Sequence, residues 1–414
     1  MALHEDSPRP LRVSIVGAGI AGLAAATALR QQGHIVEIFE TSEIKTEVGA
    51  GISVQLNALH VLKSFGYHQD NLRGNHFDGA INFNAKSGEG TTHPWLVPRP
   101  ENVHDLACLR SDLHDELKRL AISEGEGPPA RLHLGNKVLS CNPDAGTVTL
   151  SNGQVIEADL VIGADGIHSA IRTEVLGYFQ EAIPSELSCF RGVFDASKVS
   201  EIPELAWFTE GIPGVRAIAI REPGPFRMFL LYPIRNGTLV NFVGFYTIPN
   251  PDDPGRALNA TREDLKEKYH DFHPKFLRIL DFADRPLLRW QLRALPHLPT
   301  WIRGRTALVG DAAHGTHPFL GQGGAIAIED AGALGCLFPL GTKREDVPAR
   351  LEAYETLRKP RGEFMSDESI EQASKPEKRG GYIRSRELQI SVTEYNALET
   401  ARKYYEEHFG HSSS

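Results

Sequence analysis

Gly310-Asp311 is followed by a loop rich in Gly, His and Pro, and then by a small-residue run from about Gly323. A carboxylate accepts hydrogen bonds from hydroxyls, and a helix N-terminus favours an anion. The stretch from Thr306 to Leu334 therefore predicts a site for a ligand that carries a polyol and an anion side by side. Far upstream, Gly17-Ala18-Gly19-Ile20-Ala21-Gly22 is a GxGxxG. Gly17 permits a tight turn, Gly19 lets the backbone approach a pyrophosphate, and Gly22 lets helix and strand pack closely. Glu40 ends the next strand, 18 residues after Gly22 (40 − 22), and suits the diol of an adenosine ribose. In a strand–helix–strand setting the motif predicts dinucleotide binding; the bland alternative is a glycine turn of structural use only. An acid at that strand end fits FAD or NAD better than a 2′-phosphorylated NADP. One cofactor drawing on both ends of the chain is the expectation.

A third glycine-rich turn, Gly163-Ala164-Asp165-Gly166-Ile167-His168-Ser169, follows a strand and precedes a helix at Ala170–Leu176. Taken alone, Asp165 reads as a helix cap or turn former; paired with Gly310-Asp311 it reads as part of a ligand site. Arg191, in CFRGVF, sits on a strand among Phe190 and Val193, where a buried guanidinium needs a partner. Tyr232, in LLYPI, offers a phenol, or serves as an amphipathic core residue. His168, His314 and His317 lie in the two later glycine-rich turns without metal-ligand spacing. Cys108, Cys141, Cys189 and Cys336 are scattered with no CxxC pair, so neither a zinc site nor a disulfide framework is expected.

These residues need elements to hold them. Arg12–Val16, Ile20–Gln32 and Ile35–Phe39 read as strand, helix and strand, with Gly33 as the helix stop. Ser111–Ala121 reads as an amphipathic helix with Leu113, Leu117 and Leu120 on its core face. Asn136 to Val161 alternates as antiparallel strands around an Asn152-Gly153 hairpin turn, and Asp159–Ile162 reads as a buried strand. Strand-like runs broken by Pro and Gly fill 177–289, which predicts a largely antiparallel sheet. Helices are expected at Ala349–Leu357 and Val392–Glu407. Residues 1–10 read as a disordered leader and the HSSS tail as frayed.

The organisation that follows is an α/β fold. A Rossmann-like dinucleotide-binding domain spans 11–176 and 290–340, a largely antiparallel sheet domain is inserted at 177–289, and a helical region occupies 341–414; the family resemblance given below implies FAD for the first and substrate for the second. At 414 residues the chain can build such a two-part core. Its 41% hydrophobic and 23% charged content is that of a globular protein. A net charge of −9 argues against general nucleic-acid binding. No run of about 18 apolar residues predicts a membrane span, the N-terminus lacks an apolar signal core, and a reducing, cytoplasmic setting is the default.

GAGIAGL, GADGIHSAIR, and GDAAH followed by PFLGQGG resemble, in that order, the single-component group A FAD-dependent aromatic hydroxylases, or salicylate-hydroxylase-like monooxygenases, including those of fungal secondary metabolism. The likeness covers roughly Leu11 to Leu357. It implies the GR2-type variant of the cofactor fold, FAD as cofactor and NADPH or NADH as co-substrate. It implies that O2 forms a flavin C4a-hydroperoxide, which hydroxylates or epoxidises an electron-rich aromatic, polyketide or alkaloid substrate; a decarboxylating hydroxylation and a reductase or oxidase without oxygen insertion are the alternatives. By the same likeness, Gly17, Gly19 and Gly22 cradle the pyrophosphate, Glu40 holds the ribose, and Arg110 contacts FAD. Asp165 belongs to a motif used by both nucleotides, and Asp311 binds the ribityl or pyrophosphate side. Gly51 and the Pro318–Gly324 loop, with Gly321, Gly323 and Gly324, pass near the isoalloxazine. Arg191 is expected to anchor a substrate anion or donate a proton, against a structural ion pair as the alternative, and Tyr232 to share its pocket. Many relatives carry Pro before the residue matching Asn57, where this chain has Leu56; Asn57 and His60 are expected on a helix. A monomer or homodimer is expected.

Overall fold

The computed structural model describes residues 9–43, 50–220, 222, 224–248, 258–283, 285–375, 378 and 381–410. All of the expected leader before Arg9 lies outside them, as does the HSSS tail.

Five short strands run parallel in one sheet, in the order Thr306–Leu308, Leu160–Gly163, Arg12–Val16, Ile35–Phe39, Arg131–His133, with the antiparallel Ile302–Arg303 at the edge. Leu160–Gly163 is buried at every position, as a strand covered on both faces must be. Two small-residue helices, Ile20–Gln31 and Gly323–Leu337, pack together closely: a Cβ on Gly335 would sit 3.1 Å from that of Ala28. The three glycine-rich turns therefore leave neighbouring strands at one carboxyl edge, the usual ligand crevice of such sheets. Backbone bonds tie them: Ala164 N–H donates to Val16 O at 2.8 Å, and Val309 N–H to Gly163 O at 3.0 Å.

A second sheet has eight strands, in the order Leu258–Ala260, Leu287–Ala294, Ile183–Asp195, Leu239–Thr247, Arg227–Ile234, Val215–Ala219, Gly79–Asn84, Gly90–Pro94. All pairs are antiparallel except Val215–Ala219 with Gly79–Asn84. The last two strands lie upstream of the expected 177–289 segment, and Leu287–Ala294 runs past its end. Gly79–Asn84 finds its partner 131 residues downstream (215 − 84), a pairing that no local pattern announces. One face of this sheet buries Phe190, Phe194, Phe229 and Phe242 against helices. Strand alternation turns the other face toward the glycine-rich turns.

In the C-terminal region the expected helix at Ala349–Leu357 is part of a longer one, Val347–Ser374, which continues through Pro360. An interior proline removes one ladder hydrogen bond; here buried contacts of Arg358, Arg361 and Met365 hold the helix on both sides of it. The expected Val392–Glu407 helix is instead two, Arg386–Thr393 and Ala397–Phe409. The Asn396 side chain caps the second by accepting from Glu399 N–H at 3.2 Å; an Asn in that position starts a helix more readily than it continues one. Among the described residues no helix is long and apolar enough to cross a membrane.

Candidate active site

Between the carboxyl edge of the parallel sheet and the inner face of the eight-stranded sheet lies a cavity of about 1330 Å³. The three glycines of the first turn serve different ends there. A Cβ on Gly17 would fall 2.4 Å from Ala164 O, with φ at +98°, and one on Gly22 would fall 2.0 Å from Gly17 O. Those two permit the turn and the packing. Gly19 has nothing within 4 Å of its Cβ position and lines the cavity, so it offers bare backbone to a ligand. Gly323 has the same open character, at the N-terminus of its helix. Gly321 has φ +66° with Ser53 Oγ 2.6 Å from its Cβ position, and the Cβ position of Gly324 lies 2.8 Å from Ile52 Cδ1. Two helix N-termini and two stretches of naked backbone thus face one space, which fits an anionic, flat cofactor.

Asp311 is exposed to the cavity, and its carboxylate accepts no hydrogen bond among the described residues; a hydroxyl-bearing ligand would complete it. Arg110 opens the Arg110–Ile122 helix, donates its backbone N–H to Ala50 O at 2.8 Å, and lines the cavity beside Gly51. Glu40 and Asp165 are placed differently. Neither lines the cavity. Glu40 accepts from Ala18 N–H at 2.8 Å and Ser42 N–H at 3.0 Å, bracing the glycine turn. Asp165 accepts from Ser169 Oγ at 2.5 Å and from Ala170 and Ile171 N–H at 2.7 and 3.1 Å. That is the helix-capping use its residue type alone suggests.

The sheet side of the cavity is apolar apart from a few groups. Arg191 lies with its guanidinium carbon 4.8 Å from the centre of the Trp290 ring, and its Nε has no hydrogen-bond partner. Among the described residues no carboxylate pairs with it, so none of them forms the structural ion pair weighed above. Its charge reaches its neighbours. Burial pushes the Cys189 thiol up to about 11 while Arg191 opposes that rise, and burial likewise pushes the Tyr232 phenol up against the pull of Arg191. The hydroxyl end of Tyr232 lies against Gly51 and Asn241. A Cβ on Gly51 would lie 2.6 Å from Tyr232 Cε2 and 2.7 Å from Asn241 Cγ, and Gly51 N–H donates to Asn241 Oδ1 at 2.6 Å.

The two histidines of the Gly310–Gly324 turn have unlike surroundings. His314 Nε2 lies 2.7 Å from Asp330 Oδ2, a structural hydrogen bond. His317 lines the cavity with neither ring nitrogen partnered, and burial lowers its pKa to about 4. His168 is exposed at the rim. Asn57 is not a pocket wall: its Nδ2 donates to Gln322 Oε1 at 2.9 Å and Glu329 Oε1 at 2.5 Å. His60 lies on the same Leu56–Ser64 helix, its pKa lowered by burial.

Residue patterns did not announce the ion network behind the turn. Glu329 and Asp330 of Gly323–Leu337 meet Arg358 and Arg361 of the long helix. Burial works against these charges, but Glu329 and Asp330 more than offset it for Arg358, and His314 and Arg358 do so for Asp330. The signal available was a Glu-Asp pair in an otherwise small, apolar helix. Also unannounced, His76, Asp78 and His104 bring potential metal ligands within 4.8 Å of one another outside the cavity. The two imidazoles are stacked 3.9 Å apart and nearly parallel, so their in-plane lone pairs do not converge.

A family model described as "FAD binding domain" matches residues 11–369. The hispidin-3-hydroxylase of Neonothopanus nambi is 39% identical over 98% of this chain and 98% of its own length. The salicylate hydroxylase of Pseudomonas putida is 31% identical over 84% of this chain and 82% of its own. Among solved structures, a salicylate hydroxylase substrate complex superposes with a TM-score of 0.76 at 25% identity, covering 95% of this chain and 98% of that one. CtdE in complex with FAD and a substrate shares the fold with a TM-score of 0.82 at 21% identity, over 96% and 98% of the two chains.

Proposed function

Because the chain belongs to the FAD-dependent monooxygenases, we propose that it inserts one oxygen atom from O2 into an electron-rich aromatic ring or alkene, with NADPH or NADH as reductant, and that hispidin or a compound of that type is its substrate. The 39% identity to a hispidin-3-hydroxylase over nearly the whole chain supports the substrate. A place in secondary metabolism goes with it. The observation that carries the reading is Arg191: a guanidinium with no carboxylate partner among the described residues, stacked on Trp290 in an aromatic-walled cavity.

FAD, when bound, supplies oxygen activation. This chain's residues do the rest. Gly19, Gly323 and the two helix N-termini hold the phosphates and flavin edge, Asp311 takes ribityl or ribose hydroxyls, and Arg110 steadies the cofactor beside Gly51. Glu40, at the end of the second strand, takes the adenosine ribose. Asp165 acts indirectly, by fixing the turn against which Gly17 packs. Arg191 favours the ionised form of an acidic substrate oxygen, which enriches the ring in electrons at the moment of attack. Tyr232, kept protonated by burial, orients the same substrate as a hydrogen-bond donor. Phe226, Phe245, Trp290 and Phe319 exclude water.

The test is turnover of hispidin under ¹⁸O2 with NADPH or NADH. One labelled oxygen in the product per reduced nucleotide is expected. Oxidation of the nucleotide without label in any product would overturn oxygen insertion and leave a reductase or oxidase.

A further inference from the structure

We infer that Asn82 forms a second polar subsite, which takes a hydroxyl at the far end of an elongated substrate whose acidic end lies on Arg191. The inference rests on the anion-binding reading of Arg191 above. Its ground is the register of the sheet. Asn82 is paired with Ala217, Ala217 with Leu230, Leu230 with Val243, and Val243 with Arg191. These residues form one straight row across five strands, and all of them line the cavity. The row is polar at its two ends and apolar between them.

The row also measures length. Four inter-strand steps of about 4.8 Å each give roughly 19 Å from Asn82 to Arg191. The guanidinium lies over Trp290, which is on the strand beyond Arg191, so it leans away from Asn82 and does not shorten the row. Allowing a hydrogen bond of about 3 Å at each end leaves about 13 Å between the ligand's polar groups. A single phenol ring cannot span that. Two rings joined by a short conjugated link can, and their flat middle matches Ala217, Leu230 and Val243.

Asn82 is otherwise out of place. Asn is depleted in strand interiors, and its Oδ1 is buried without a hydrogen-bond partner. A buried amide oxygen left orphaned in a cavity wall is accounted for when a ligand hydroxyl donates to it. Asn84, two residues on, differs: its Oδ1 accepts from Lys86 and Ser87 N–H in a turn. The ligand class is thus a rod-like, conjugated two-ring compound with an acidic oxygen at one end and a hydroxyl at the other.

Binding to the FAD-loaded enzyme tests this, read by flavin difference spectra or calorimetry. The probes are 4′-hydroxystilbene-4-carboxylate and stilbene-4-carboxylate, which differ only in the distal hydroxyl. In the wild type, loss of the hydroxyl should weaken binding about tenfold, the usual effect of one buried hydrogen bond. In Asn82→Ala the two probes should bind alike. Asn82→Leu, which keeps the volume, provides the same comparison if the alanine variant folds poorly. An undiminished preference for the hydroxyl in both variants, or none in the wild type, overturns the subsite, as does failure of both probes to bind at millimolar concentration. Arg191→Met should weaken both probes equally. If it leaves both unchanged while the Asn82 dependence persists, the anion-binding reading fails and the subsite stands.

Discussion

Arg358 donates through Nε to Asp330 Oδ1 at 2.9 Å, and neither side chain is exposed to solvent. Asp330 Oδ2 in turn accepts from Gly310 N–H at 3.0 Å, immediately before Asp311. A side chain of the long C-terminal helix therefore fixes the turn that presents Asp311 to the cofactor. Arg358→Met would leave Asp330 as a buried charge with one partner fewer. It should cost about 3–5 kcal/mol of stability and release FAD. Thermal melting and flavin content report both; an unchanged Tm would show that the pair is dispensable.

Gly17 and Gly19 are expected to fail in opposite ways. Gly17→Ala must push a methyl into Ala164 O from a positive φ, so it should destabilise the protein even without cofactor. Gly19→Ala meets no atom within 4 Å and should leave the apoprotein's Tm unchanged while weakening FAD binding at least tenfold. Melts of the apo forms and FAD titrations separate the two. Equal destabilisation of both apoproteins would contradict the division of labour.

Asp311→Ala is expected to lower FAD occupancy without unfolding, because its carboxylate is exposed and has no hydrogen-bond partner to lose among the described residues. Full retention of flavin after dialysis would remove Asp311 from the cofactor site.

Arg191→Met should spare flavin content and raise the substrate Kd by tenfold or more, with the loss greatest at pH values where the substrate is ionised. Tyr232→Phe should have a smaller effect. Unchanged coupling of NAD(P)H use to product formation in Arg191→Met would exclude it as a substrate residue.

His317 predicts a pH dependence. Its folded pKa is about 4, against about 6.5 when unfolded. Between those values the unfolded chain holds a proton that the native chain does not, so stability rises with pH there. As pH falls from 6.5 toward 4 the native state loses about 1.4 kcal/mol per unit, roughly 3 kcal/mol in all. His34 and His60 are lowered too and act with the same sign, so the comparison is between His317→Gln and wild type. Asp330, held below the ordinary carboxylate range, contributes above about pH 4 and is lost only below it. Urea melts at pH 5 and 7 should show a smaller difference for His317→Gln; an equal one would mean that His317 is not buried as described.

Much of the cofactor half was legible because its signals are local. Gly17 and Gly19 sit in a turn, Gly22 in the helix that follows it and Asp311 at a helix start, and in each case the flanking strand and helix are written in adjacent residues. Arg191 stood out because a cation among Phe190 and Val193 breaks the pattern of its own strand. The capping use of Asp165 was legible as one of two readings, and geometry selects between uses that composition leaves equal. Asn82 was not legible. Its meaning depends on Ala217, Leu230 and Val243 standing between it and Arg191, and register across five strands is set by tertiary packing. The Glu329–Arg361 and Asp330–Arg358 pairs were hidden for a similar reason, since the Pro360 inside their helix reads locally as a stop.

The pairing of Gly79–Asn84 with Val215–Ala219 has a consequence for how the chain is made. The Gly90–Pro94 hairpin arm leaves the ribosome 121 residues (215 − 94) before its sheet neighbour's partner is synthesised. At about 5–20 residues per second that is a wait of roughly 6–24 s. The parallel sheet waits as well, for Thr306–Leu308. Both halves therefore mature late and together, with apolar strands exposed in the interval. Nascent chains of this protein should depend on holding chaperones more than their final stability would suggest.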